Sequence, residues 1–175
     1  RLTPSGIAVP VGMKNPTSGD ISVVLNSILA AQRSHTFIYR GWEVETTGNP
    51  LTHAIMRGYV NKHGEAIPNY HFEDLENLYN AYAAKGLENI ALIVDANHSN
   101  SAKKYEQQPR ICKDVLYTCR HNSHIKDMFK GFMIESYLEN GSQKIGEHIY
   151  GKSITDPCIG WTETEKLVLD IADLI

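Results

Sequence analysis

Residues 91–97 read Ala-Leu-Ile-Val-Asp-Ala-Asn and are followed at once by His98. The run from Ile90 to Val94 is continuously apolar, as expected for a parallel strand covered on both faces rather than for an alternating, half-exposed one. The same grammar recurs downstream. Phe-Lys-Gly-Phe-Met-Ile (129–134) is followed by Glu135, and Gly-Lys-Ser-Ile-Thr-Asp-Pro-Cys-Ile-Gly-Trp (151–161) carries Asp156. Strands that end in charged or imidazole side chains, separated by helical patterns, are how parallel-barrel enzymes assemble a site. Their C-terminal ends converge on one face, so residues distant in sequence meet there.

Working outward, the helical and extended segments alternate. Gly6 to Val11 reads as a short buried strand. Asp20 stands where an N-cap belongs, and Ile21, Val24, Leu25, Ile28 and Leu29 fall on one face of a helix that runs to Arg33. Thr36 to Tyr39 is strand-like, and the turn residues Gly48-Asn49-Pro50 predict an extended hairpin over 37–57 that ends in the strand His-Ala-Ile-Met-Arg. A helix over 71–85 turns Phe72, Leu75, Leu78, Tyr79 and Tyr82 inward and stops at Gly86. A helix over 101–121 carries Ile111, Val115 and Cys119 on one face, with Pro109 marking a first turn or a kink. A Gly-rich loop runs from Asn140 to Trp161. The final helix opens on Thr162-Glu163-Thr164-Glu165, a capping-box pattern, and carries Leu167, Leu169, Ile171 and Leu174.

The pattern is a βα unit repeated about four times, with one hairpin inserted, in a single domain over 1–175. An eight-fold barrel takes about 250 residues, so four units make half of one. The chain begins at Arg1 without a methionine, as a sequence entered in the middle of a fold would.

Composition narrows the function classes. Net charge is −3, which gives no electrostatic footprint for nucleic acid. No apolar run approaches the roughly 20 residues of a membrane span, and no secretory leader pattern opens the sequence. Cys112, Cys119 and Cys158 are odd in number and lack C-x-x-C spacing, which fits free thiols in a reducing cytoplasm.

Chemistry concentrates at strand ends. His98, Glu135 and Asp156 are metal-ligand types. With no thiolate cluster beside them they suit Mn²⁺ or Fe²⁺ better than a structural zinc, with Co²⁺ or Zn²⁺ as alternatives. Each residue alone has a blander reading: a hydrogen-bonded strand-end histidine, a glutamate held by a loop cation, a turn aspartate before Pro157. The joint pattern favours a shared site. Lys14 and Arg57 follow their own strands and are natural holders of phosphate or carboxylate. Asp95 lies in a run that should be apolar, so its carboxylate needs a partner, either a neighbouring ligand to orient or a loop cation to hold. His121 and His124 read as surface residues, His53, His63, His71 and His148 offer no useful spacing, and Tyr79 and Tyr82 read as packing residues.

Pro-Val-Gly-Met-Lys-Asn-Pro-Thr-Ser-Gly-Asp (10–20), Ile-Met-Arg-Gly (55–58), Asp-Ala-Asn-His-Ser-Asn-Ser (95–101), Met-Ile-Glu-Ser-Tyr-Leu (133–138) and above all 151–161 resemble, in order, the type I 3-deoxy-D-arabino-heptulosonate-7-phosphate (DAHP) synthases. The resemblance implies a (β/α)8 TIM barrel of which this chain supplies the C-terminal half. It implies a divalent metal and the condensation of phosphoenolpyruvate with erythrose 4-phosphate, the first step of the shikimate pathway, in a cytoplasmic homo-oligomer. His98, Glu135 and Asp156 match three of the family's four metal ligands. Lys14, Arg57 and His98 match positions that hold phosphoenolpyruvate, and Asp156 lies beside the aldehyde substrate, so Lys14, His98 and Asp156 are the expected catalytic residues.

The family's cysteine ligand, its Lys-Pro-Arg-Thr segment and a further strand-end arginine belong upstream of this sequence, so the other half is expected as a separate or missing chain. The 37–57 hairpin is shorter than in feedback-inhibited members, so the resemblance does not carry regulation by phenylalanine, tyrosine or tryptophan to this chain. Three other readings compete: a non-catalytic fragment or interaction protein with a residual metal and phosphate site, a sister enzyme using arabinose 5-phosphate, and a phosphate-binding barrel of unrelated chemistry. The 151–161 segment speaks against the sister enzyme.

Overall fold

The computed structural model describes residues 2–175. Its elements, in chain order, are α1 (Leu2–Ser5), β1 (Gly12–Lys14), α2 (Ile21–Gln32), β2 (Thr36–Tyr39), β3 (Trp42–Glu45), β4 (His53–Met56), β5 (Tyr59–Val60), β6 (Ala66–Ile67), α3 (Phe72–Ala84), β7 (Leu92–Asp95), α4 (Gln108–His121), α5 (Ser123–Met128), β8 (Phe129–Met133) and α6 (Trp161–Leu174). Strands β1, β4, β7 and β8 form one sheet in that order, and every pairing in it is parallel. Each is followed by a helix, giving a parallel-sheet α/β fold of the kind found in TIM barrels.

The run expected over Ile90 to Val94 forms the buried strand β7, which starts at Leu92 and extends to Asp95, with Leu92, Val94 and Asp95 inaccessible. The core joins Ala54 and Met56 of β4 and Leu92 and Val94 of β7 to the apolar stripes of the helices. Val24, Leu25 and Ile28 come from α2, Leu75, Leu78 and Tyr82 from α3, and Ile111 and Val115 from α4. Asp20 caps α2, its side chain accepting the Ser22 N–H at 2.8 Å. Tyr82 does more than pack. Its hydroxyl accepts the Ala54 N–H at 2.9 Å and donates to the Ala91 carbonyl at 3.0 Å, stitching the starts of β4 and β7 to α3.

Several expectations are corrected. The first strand is Gly12–Lys14, not 6–11. Pro10 has no N–H to give a ladder, Ile7 and Val9 are exposed, and pairing begins at Gly12 opposite His53. The hairpin is β2–β3 alone, turning at Arg40-Gly41, where both residues have positive φ (51° and 83°) as a two-residue primed turn demands. Gly48-Asn49-Pro50 instead leads the chain back to the sheet, with the Asn49 N–H on Ala31 O and its side-chain amide on Val9 O. A small second hairpin, β5–β6, was not expected.

The helix foreseen from 101 begins only at Gln108, after a 3₁₀ turn at Tyr105–Gln107. The left-handed residues Ala102 and Lys103 prevent an earlier start, and Pro109 sits in the first turn. A short helix, α5, follows α4 and was also not foreseen. The last helix starts at Trp161 behind Gly160, so the 162–165 capping box does not form. Thr164 points inward, and Leu169 and Phe72 are exposed rather than packed. No described helix is long and apolar enough to cross a membrane.

Candidate active site

The four parallel strands deliver their last residues to one edge. Lys14 ends β1, Arg57 follows β4, Asp95 ends β7 with His98 three residues on, and Glu135 lies two residues past β8. Asp156 reaches the same place from the loop before α6. His98 Nε2 is 3.4 Å from Asp156 Oδ2 and 3.9 Å from Glu135 Oε1. One donor atom from each of the three residues lies within 4.8 Å of the others, and among the described residues they are the one such group. Ligands at about 2.0–2.2 Å from a common ion sit roughly 3–4.4 Å apart; the 3.4 and 3.9 Å separations from His98 fall in that range, and the donor set suits a single divalent cation.

Lys14 Nζ donates to Asp95 Oδ2 at 3.0 Å, and the same oxygen is 2.8 Å from His98 Nδ1, off the line of a well-aligned ring N–H bond. Lys103, which the sequence did not single out, donates to Asp156 Oδ1 at 2.9 Å. That hydrogen bond and the charge of Lys103, with smaller help from His98 and Arg57, hold the Asp156 carboxyl below the usual range against its partial burial. Arg57 therefore lies within electrostatic reach of the cluster. Its Nε is buried without a hydrogen-bond partner among the described residues, a donor left for something else. Cys158 is buried two residues beyond Asp156. Burial, with the Glu135 and Asp156 charges nearby, pushes its thiol up, the opposite of a thiolate poised to bind metal. His121 and His124 make tilted ring contacts with Tyr117 and Tyr79 and do not join the site.

A framework of buried amides holds these segments in place. Asn15 Oδ1 accepts the Arg57 N–H (2.8 Å), and its Nδ2 donates to Gly58 O (2.9 Å). Asn69 Oδ1 accepts the Gly58 N–H (2.7 Å), while the Asn69 N–H goes to Asn100 Oδ1 (2.8 Å). Asn100 Nδ2 then donates to both Met56 O (3.1 Å) and Asp95 O (2.8 Å). Three side chains thereby satisfy the backbone where β1, β4 and β7 run out of ladder. The loops press so close that a Cβ on Gly58, which has φ 72°, would lie 2.6 Å from the Asn100 nitrogen. Gln108, fully buried, clasps Glu135 by its main chain: Oε1 accepts the Glu135 N–H at 2.8 Å and Nε2 donates to its carbonyl at 3.0 Å.

Sequence reasoning missed this layer, although Asn100 within 95–101 and the amide just before Pro109 were visible. His98 itself is left-handed (φ 46°), an uncommon backbone for a non-glycine residue and the kind of strain that clusters at functional sites. A groove of about 440 Å³ elsewhere, between β8, α4 and α6, is lined by residues that take no part in this cluster.

A parallel α/β domain with an imidazole, two carboxylates and two cations at its C-terminal strand ends is consistent with the architecture of TIM barrels. Residues 1–169 match the model of the DAHP synthetase I family, and the chain belongs to that family. It is 37% identical over 187 residues to the Trp-sensitive phospho-2-dehydro-3-deoxyheptonate aldolase of Escherichia coli (strain K12), covering 100% of this chain and 50% of that protein. It is 37% identical over 183 residues to the phospho-2-dehydro-3-deoxyheptonate aldolase of Haemophilus influenzae, covering 100% of this chain and 48% of that one. The solved structure of the Francisella tularensis SCHU S4 phospho-2-dehydro-3-deoxyheptonate aldolase superposes with a TM-score of 0.87 at 28% identity, over 99% of this chain and 50% of that one. The chain spans about half the length of the curated relatives it matches.

Proposed function

We propose that this chain forms the C-terminal half of a (β/α)8 barrel that condenses phosphoenolpyruvate with erythrose 4-phosphate, the first step of the shikimate pathway. The observation that carries this is the meeting of His98, Glu135 and Asp156 within 4.8 Å, drawn from separate βα units, beside Lys14 and Arg57. His98, Glu135 and Asp156 would hold a divalent metal, Mn²⁺ or Fe²⁺ by donor type, and the ion supplies Lewis-acid polarisation of the aldehyde or activation of water.

The remaining steps fall to the chain's own side chains. Lys14 and Arg57 neutralise the carboxylate and phosphate of phosphoenolpyruvate and hold its C3 toward the aldehyde carbon. The buried Arg57 Nε has no acceptor among the described residues, as expected of a donor reserved for an anionic substrate. Bond formation between C3 and the aldehyde carbon takes the proton its new alkoxide needs from a site acid. Lys14 is the ammonium held at the strand edge for that role, with Asp95 as its counter-charge. Water adds at the electron-deficient C2 and gives up one proton, which restores the Lys14 ammonium; the hemiketal phosphate then collapses to the C2 ketone as its C2–O bond to phosphate breaks, and inorganic phosphate departs with the second proton. Asp156, kept ionised by Lys103, lines the aldehyde side.

The other half of the barrel, assembly into a homo-oligomer and a cytoplasmic setting are part of the same proposal. The test is phosphate release from the two substrates by the intact protein. Chelation should abolish it and manganese should restore it. Turnover that ignores the chelator, or a preference for arabinose 5-phosphate, would contradict the proposal. The span of half a relative favours one rival, a non-catalytic fragment. Intact mass of every polypeptide in the purified sample separates the two: the enzyme reading requires the upstream half to be present.

A further inference from the structure

Asp95 is a carboxylate with no exposed surface at the end of a buried strand, where ionised groups are tolerated only when fully partnered. Each of its oxygens is committed. Oδ1 accepts the Asn97 N–H at 3.0 Å. Oδ2 takes the Lys14 ammonium at 3.0 Å and lies 2.8 Å from His98 Nδ1. The backbone is fixed too, since the Asp95 carbonyl accepts from Asn100 Nδ2. His98 can return over its own strand end because its backbone is left-handed, with the His98 carbonyl accepting the Lys103 N–H at 2.8 Å. The ring's other nitrogen is left facing Glu135 and Asp156.

We propose that Asp95 is a positioning residue for two subsites at once. Through one oxygen it turns His98 so that Nε2 faces the carboxylates, and it anchors the Lys14 ammonium beside them. It touches neither ion nor substrate itself. This rests on the function proposed above and adds to it a physical link between the cationic pocket and the three-residue cluster.

The acceptor count makes the link testable. Asp95→Asn keeps the volume but supplies one acceptor oxygen where the structure uses two, so either the Asn97 N–H or the Lys14–His98 pair goes unserved. In the intact protein, Asp95→Asn should weaken Mn²⁺ binding, read from free Mn²⁺ by electron paramagnetic resonance, by about 10–100-fold. It should also raise the KM for phosphoenolpyruvate. Lys14→Met should raise that KM with little change in Mn²⁺ affinity, and the two substitutions combined should raise it less than the product of their separate effects. Leu78→Ala, a core change in α3 away from the site, controls for lost stability and should leave Mn²⁺ affinity unchanged.

Asp95→Asn binding Mn²⁺ within about two-fold of the unsubstituted protein, against the 10–100-fold expected of a supporting residue, would overturn the inference. So would equal weakening by Leu78→Ala. Should Asp95→Asn fail to fold, the unsubstituted protein still decides. With ¹⁵N-labelled histidine and chelated metal, the neutral His98 ring should carry its proton on Nδ1, and a proton on Nε2 refutes the role. If Glu135→Gln binds Mn²⁺ normally, the metal reading itself fails, while the tautomer measurement continues to judge Asp95 separately.

Discussion

Replacing Gln108 with alanine isolates how Glu135 is held. The side chain makes two hydrogen bonds, both to the Glu135 main chain, from a position with no solvent access. The Glu135 carbonyl keeps a second donor, the Ile159 N–H at 3.0 Å, but among the described residues its N–H has no acceptor besides Gln108. The substitution therefore costs one replaceable hydrogen bond, at about 1 kcal/mol, and strands one donor, at about 1–3 kcal/mol. The expected loss of unfolding free energy is roughly 2–4 kcal/mol including the small cavity. Freed of its clasp, the Glu135 carboxylate should drift from His98 Nε2, weakening Mn²⁺ binding by about 10–100-fold. Gln108→Met refills the space without the hydrogen bonds, so it should recover part of the stability and none of the affinity. Denaturant titration and Mn²⁺ titration of both variants give the answer. A Gln108→Ala protein that loses stability but binds Mn²⁺ normally would refute the reasoning, because Glu135 would then be positioned without Gln108.

Further outcomes follow from other parts of the structure. Asn100→Ala removes bonds to Asn69, Met56 and Asp95 and should cost about 3–5 kcal/mol by stranding buried backbone groups, measured by denaturant unfolding; a loss under about 1 kcal/mol, the worth of a single net hydrogen bond, would contradict the clamp. Arg57→Ala should raise the KM for phosphoenolpyruvate far more than it changes Mn²⁺ affinity, which steady-state kinetics and metal titration separate. Burial pushes the Cys112 thiol up to about 12, so between pH 9 and 12 the unfolded chain loses a proton that the folded chain keeps. Stability then falls with rising pH by up to about 1.4 kcal/mol per unit from this group. Cys112→Ala should flatten the alkaline limb of a Tm profile, and below pH 8 the profiles of the two proteins should run parallel.

The parts of the fold that were legible in the sequence share one physical property: their signal is local. Ile90–Val94 has no polar residue to expose, and its Leu92–Val94 stretch is in the buried strand β7. Asp20 precedes an unbroken apolar stripe, so it had to be a cap. The cluster of His98, Glu135 and Asp156 was legible because strand ends in a parallel sheet share one face whatever lies between them. The errors came where two local signals competed. Gly48-Asn49-Pro50 is a louder turn sequence than Arg40-Gly41, yet the hairpin turns at the quieter one, because cross-strand pairing of 36–39 with 42–45 fixes the register. Thr162 to Glu165 spells a capping box, but the chain needs Thr164 inside, where its hydroxyl meets Ser136 and Gly160 O. The amides of Asn15, Asn69, Asn100 and Gln108 were silent for another reason. An asparagine in a loop reads as a turn former, and only the three-dimensional meeting of four strand ends reveals which backbone groups it must satisfy. Lys103 was likewise lost among ordinary loop lysines until its 2.9 Å contact with Asp156 set it apart.

The central claim is that one imidazole and two carboxylates, carried by separate βα units, share a divalent ion. Metal content of the chelated and manganese-reloaded protein, measured side by side with Glu135→Gln at equal folded fraction, tests it most directly. The first should hold one Mn²⁺ per chain tightly and the second little or none. Equal loading of the two proteins would contradict it.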